Sequence, residues 1–295
     1  MLINEALRID ISLLGAEIQG IRAMLDDTEY LFNGDERYWK RRAPLLFPIV
    51  GKLRNDSYTH AGATYYPLTQ HGFARDSVFE LQSSDDTSAH FLFSASDETK
   101  KIYPFDFDLY VHYKLIGARL HVTYELTHVF GEPLPYMLGT HPAFLLGEGA
   151  NAPVVHMSEP LPQTASQLKN GLLEADTVGF PHESTSLTLT DDTFAHDALI
   201  FKNYTPKKIR LARRDGKSVT IESNDFPHTA LWSKPGSPFV CIEHWSGHAD
   251  TLTSSDELIK KDGVRFLSNG TDVALWRVAG QARQRPRVAN RCGCR

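Results

Sequence analysis

Cysteine is scarce: three in 295 residues, at Cys241, Cys292 and Cys294, which is too few for a disulfide framework. Cys241 lies in the apolar run FVCIEHW and reads as a small buried hydrophobe. The Cys292/Cys294 pair has no His or Cys partners at structural-zinc spacing. Long apolar runs are also missing. No stretch approaches the roughly 18 residues needed to span a bilayer. The N-terminus, MLINEALRIDISLLGAE, has neither the basic flank nor the continuous apolar segment of a signal peptide. The expectation is a soluble, cytoplasmic protein with no membrane partner. Basic excess is absent, with 31 Lys and Arg against 36 Asp and Glu and a net charge of −5, so no nucleic-acid partner is expected. The local basic run RYWKRR, Arg37 to Arg42, reads as a solvated strand edge or loop. Several chemical signatures are missing too: G-x-G-x-x-G and Walker cradles, a G-x-S-x-G elbow, and HExxH or His-x-His pairs. Phosphate-loop, serine-hydrolase and zincin chemistries are thereby disfavoured.

What is present is alternation. Leu7, Ile9 and Ile11 alternate with polar residues, as do Phe105, Phe107, Leu109, Val111, Tyr113 and Leu115, and again Leu120, Val122, Tyr124 and Leu126. A period of two over such lengths means half-buried strands. Asp26-Asp27 separates two N-terminal strands, and Asp215-Gly216 between KIRLAR and SVTIES is a hairpin signal. Short strands with Pro and Gly punctuation predict an all-β sandwich or barrel. A short helix is expected over Ser255 to Lys261, with acids in its first turn and lysines in its last. Pro160 to Ser186 reads as a loop-rich stretch that crosses between halves of the fold. With no linker, repeat or low-complexity stretch, residues 1–280 are expected to form one domain. The Arg-rich residues 281–295 are expected to be a disordered tail.

Of thirteen histidines, two stand in unusual contexts. In QHGFARD, Gly72 lets the backbone turn tightly beside His71, and His71 and Arg75 offer donors next to an aromatic. A structural histidine is the alternative there. In LGTHPAF, Pro142 holds His141 on extended backbone at a strand end, where a positioned side chain is at home. In FVCIEHW, Phe239, Cys241, Glu243 and Trp245 share one strand face. A carboxylate between Cys and Trp is at least partly buried, so it requires a partner or a raised pKa. Arg75, Arg54 or a His are the candidates. The long spacings His71, His141 and His182 give no metal-ligand pattern, so no metal is expected.

Taken together and in order, these segments resemble the aldose 1-epimerase (galactose mutarotase-like) family, in its LacX-like branch. Residues 43–81, APLLFPIVGKLRNDSYTHAGATYYPLTQHGFARDSVFEL, are similar to the family's LFP-[IV]-G segment, Tyr-rich hairpin and QHGFAR. THPAF resembles its second-histidine motif, and FVCIEHW its CIEPW motif, with His244 in place of the usual Pro. The N-terminal GAEIQGIR…EYLFNGD…YW matches as well, so the resemblance spans about residues 1–268. It implies a galactose-mutarotase-like β-supersandwich of large antiparallel sheets with few short helices. It implies an enzyme that interconverts the α and β anomers of a hexose, without a cofactor. By the same resemblance Glu243 is the general base and His141 the general acid, on opposite sides of the sugar. His71 and Arg75 would hold sugar oxygens, and Asp197 and Arg54 would join the same pocket. His244 is expected to point away from it. TDVALW is a candidate for the final strand. The expected partner is a small-molecule sugar, bound by a monomer or homodimer. Alternatives are a non-catalytic sugar-binding or sensor protein on this fold, and a hexose-6-phosphate mutarotase. A glycosidase would require a pair of carboxylates, which the Glu/His pair does not supply.

Overall fold

The computed structural model describes residues 1–181 and 183–281, with backbone alone for 175–177 and 281. His182 and the expected tail after Gln281 lie outside the described residues.

The alternating segments become strands of two large antiparallel sheets. One has nine strands, in the order Ser186–Thr188, Val154–Met157, Ile209–Ala212, Ser218–Ser223, Gly270–Gln281, Arg119–His128, Asp108–Ile116, Ser88–Ser94 and Glu80–Ser84. Its centre follows the sequence pattern. Leu120 pairs with Leu115, Val122 lies between Tyr113 and Trp276, and Tyr124 lies between Val111 and Ala274. All eight of these side chains are buried, while the intervening residues face outward. Burying each large apolar side chain contributes about 1.5–3 kcal/mol, which holds this face against the rest of the core. The segment TDVALW does supply the last strand, and it sits in the middle of the sheet.

The second sheet has eight strands. Seven run in the order Leu172–Gly179, Thr164–Lys169, Leu199–Phe201, His228–Trp232, Phe239–Trp245, Gly139–Thr140 and Leu45–Leu46, and Ala143–Leu145 also pairs with Phe239–Trp245. A three-stranded sheet, Leu2–Ile3, Leu7–Ile11 and Ile18–Ala23, and two short ribbons complete the strands. The Asp215-Gly216 turn joins two paired strands as expected.

Two local expectations are corrected. Pro160 to Ser186 is not simply loop: Thr164–Lys169 and Leu172–Gly179 form a hairpin. Its turn residues Asn170 and Gly171 have φ of 55° and 80°, the left-handed pair that two-residue hairpin turns require. Ser255 to Lys261 is not a helix, and only the 3-10 turn Leu258–Lys260 forms. There Lys261 is drawn inward to Asp250 at 2.6 Å and to the Ser255 carbonyl at 2.8 Å, and Glu257 stays extended. Among the described residues the α-helix is Asp97–Ile102, held by a capping box between Ser96 and Thr99.

Candidate active site

The register of the eight-stranded sheet assembles the site. Thr140 pairs with His244 and Ala143 with Cys241. The same register, carried through Pro142, puts His141 opposite Glu243. Directly opposed side chains share a face and touch. His141 Nε2 lies 3.2 Å from Glu243 Oε2. On the other side of Glu243 stands Ala230, whose small side chain leaves room above the carboxyl. Trp245, two residues along the same face, donates its Nε1–H to Glu243 Oε2 at 3.2 Å. Glu243 Oε1 and His141 Nδ1 are buried and have no hydrogen-bond partner among the described residues.

The partner required by a buried Glu243 is therefore His141, with Trp245, rather than an arginine. The two side chains are neighbours on one face of the sheet. Glu243 is wholly inaccessible, and burial first of all drives its pKa well above the usual carboxylate range. Trp245 opposes that shift and Asp197 adds to it. Burial likewise lowers His141 to about 3. Both shifts favour the uncharged forms, a protonated Glu243 and a neutral His141.

His71 reaches the same place from another direction. Its backbone has φ 67° and is followed by Gly72 at φ 70°. A Cβ on Gly72 would lie 2.2 Å from the Phe47 carbonyl oxygen, so the turn accepts only glycine. His71 N–H donates to Gly51 O at 2.8 Å, and Gly51 N–H donates to His71 Nδ1 at 3.0 Å. With Nδ1 accepting, the neutral ring carries its proton on Nε2. Burial first, then His141, Arg75 and Arg41, keep this ring neutral. The His71 and His141 rings meet edge to face at 5.4 Å.

These groups line an open cavity of about 1030 Å³. Arg75 is in its wall, donating Nη2–H to the Gln70 carbonyl at 2.5 Å, with its pKa lowered to about 10 by burial and then by Arg41. Asp197 lines it too, exposed and at φ 80°. Arg54 does not. Its guanidinium is committed to Asp256 at 2.7 Å and to the Leu252 carbonyl at 3.2 Å, while Lys52, two residues earlier, faces the cavity. The sequence reading also missed Trp39, Trp232 and Lys52. Trp39 belongs to RYWKRR, read as a solvated edge, yet its ring stacks on His141 at 4.8 Å. Its position between basic residues hid it; the alternation that marks strands does not extend into this loop.

His244 points away from the cavity, as expected. It is fully buried with neither ring nitrogen partnered among the described residues, beside Phe226 at 6.4 Å. Burial lowers it to about 4. An unfolded chain binds a proton there at the ordinary value, about 6.5, while the folded chain does not. Stability contributed by the neutral ring is thus lost as pH falls from about 6.5 toward about 4. His244→Leu should raise the free energy of unfolding at neutral pH by about 1–2 kcal/mol, read from denaturant titration, and flatten its fall on acidification. Equal pH dependence in the two proteins would rule this out.

Large antiparallel sheets with a buried Glu–His pair lining an open cavity give a galactose mutarotase-like fold. The chain belongs to the aldose 1-epimerase family, whose profile matches residues 1–261. The plasmid-borne protein LacX of Lactococcus lactis subsp. lactis is 32% identical over 282 residues, covering 88% of this chain and 92% of that one. A galactose mutarotase related enzyme from Lactobacillus acidophilus superposes with a TM-score of 0.89 at 32% identity, over 95% of this chain and 96% of that one. A galactose mutarotase-like protein from Lactobacillus casei ATCC 334 gives 0.85 at 31%, over 95% and 99%.

Proposed function

We propose that the protein is an aldose 1-epimerase that interconverts the α and β anomers of a hexose by ring opening and reclosure. The observation that carries this is the His141–Glu243 couple, 3.2 Å apart at the cavity floor, with one carboxyl oxygen unpartnered among the described residues. The anomeric hydroxyl and the ring oxygen are both bonded to C1, so adjacent groups can address both. In the opening step Glu243 accepts the proton of the anomeric hydroxyl. His141 gives a proton to the ring oxygen, and the C1–O5 bond breaks. Rotation about C1–C2 then presents the other face of the aldehyde, and the two transfers reverse. The open-chain stage leaves Glu243 protonated and His141 neutral, which is the charge state that burial favours. Before opening, one proton passes from Glu243 to His141 across their 3.2 Å contact, and ring closure returns both groups to that form. His71 Nε2–H and Arg75 are assigned to sugar oxygens, and Asp197 to a hydroxyl near the cavity mouth.

His71→Ala should raise KM by up to about tenfold through loss of one hydrogen bond, with a smaller change in kcat. A fall confined to kcat would move His71 into the proton transfers. The function itself is tested by following anomer exchange, by polarimetry or NMR, for a panel of aldoses. Lys52 and Lys169 in the cavity lining favour including the 6-phosphates in that panel. Binding of aldoses with no acceleration of exchange would leave a sugar-binding protein instead.

A further inference from the structure

Sequence spacing gave no metal-ligand pattern, yet the fold brings three donors together from separate segments. His141, Cys241 and Glu243 are all buried, and their ligand atoms lie within 4.8 Å of one another, as no other trio of His, Cys, Asp and Glu does among the described residues. Cys241 and Glu243 share a strand face, and the register brings His141 opposite Glu243. Glu243 Oε1, wholly inaccessible and unpartnered among the described residues, is the independent sign that this cluster has an unused donor.

We infer that His141, Cys241 and Glu243 form a binding site for a thiophilic divalent cation such as Zn2+, and that its occupation blocks the acid–base couple. Two ligands at zinc's usual N and O distances in a tetrahedral arrangement stand roughly 3.3 Å apart. The His141–Glu243 separation is 3.2 Å. A sulfur ligand requires roughly 3.6 Å to its neighbours, and the Cys241 ligand atom lies within 4.8 Å of both. The charge balances: the cation displaces the proton on the His141–Glu243 pair and the thiol proton of Cys241, and two protons leave. Burial, and then Glu243, hold the Cys241 thiol protonated, so the group is inert until a cation takes the proton's place. Affinity therefore rises with pH. Mg2+, which takes oxygen ligands in octahedral geometry, does not fit. Zinc on His141 Nε2 and Glu243 occupies the very lone pairs that move protons.

The inference rests on the mutarotase reading only for its activity readout, so the test has two arms on the full chain. Titration with Co2+ should produce a near-ultraviolet thiolate-to-cobalt band that Zn2+ abolishes. Zn2+ should also depress anomer exchange at least tenfold, reversed by EDTA, while Mg2+ leaves it unchanged. Cys241→Ala, and Cys241→Ser in case the smaller side chain loosens the core, should lose the band and require at least about tenfold more Zn2+ for equal inhibition. Metal-free exchange should be unchanged in both variants. A band that persists in both variants, or that vanishes instead in Cys292→Ser/Cys294→Ser, overturns the site. If the wild type never accelerates exchange, the mutarotase reading fails while the cobalt band still decides the site.

Discussion

Replacing Glu243 with Gln should lower kcat for anomer exchange by about 10²–10⁴-fold, the usual contribution of one positioned acid or base. The amide keeps the shape of the carboxyl. Its oxygen still accepts from Trp245 Nε1–H, a contact of 3.2 Å in the wild type, and still faces His141. What it loses is the capacity to accept a proton. The fold should not suffer, because a carboxyl that is wholly buried has its charged form opposed by desolvation, and an amide carries no such cost. The thermal midpoint is therefore expected to stay the same or rise. Calorimetry should find sugar affinity largely retained, which separates recognition from proton transfer. A folded variant that exchanges anomers at near wild-type rate would remove Glu243 from the mechanism.

The site was legible where chemistry and backbone signal coincide in a short segment. Gly72 after His71, Pro142 after His141, and the carboxylate between Cys241 and Trp245 each mark unusual backbone or burial, and the structure brings all three segments to one cavity. The central strands were legible because half-burial writes a period of two directly into Leu109–Leu115 and Leu120–Leu126. Loops carry no such period. Trp39 is held against His141 by long-range packing, and nothing in RYWKRR reports it. Arg54 was grouped with the pocket because its segment is, yet a 3-10 turn redirects the side chain to Asp256. The expected helix at Ser255–Lys261 was read from charge order alone. Tertiary pairing of Lys261 with Asp250 outweighs that weak local preference. Cys241 was correctly read as buried, but its closeness to His141 depends on strand register, which a single sequence does not spell out.

His141→Asn should cost a similar factor, about 10²–10⁴ in kcat, since the amide cannot carry and release the ring-oxygen proton. Combined with Glu243→Gln the losses should be far from additive, because each half-reaction needs both partners. The pH profile sharpens the argument. With ordinary pKa values, about 4.3 for Glu and 6.5 for His, the acid limb would belong to Glu243 and the alkaline limb to His141. Burial inverts that order, raising Glu243 well above its usual range and lowering His141 to about 3. The pair is active when it holds one proton. Below the lower macroscopic pKa a second proton arrives at His141 and blocks the base function. Above the upper one the first proton leaves Glu243 and nothing remains to protonate the ring oxygen. These two values belong to the couple and not to either residue alone. The residual activity of Glu243→Gln, which depends on protonated His141 alone, should fall as pH rises from the acid end, and that of His141→Asn, which depends on deprotonated Glu243 alone, should rise with pH only well above the usual carboxylate range. Inflections near the ordinary values, about 6.5 for His141 in Glu243→Gln and about 4.3 for Glu243 in His141→Asn, would mean that the sugar-bound site is wet enough to restore the ordinary order.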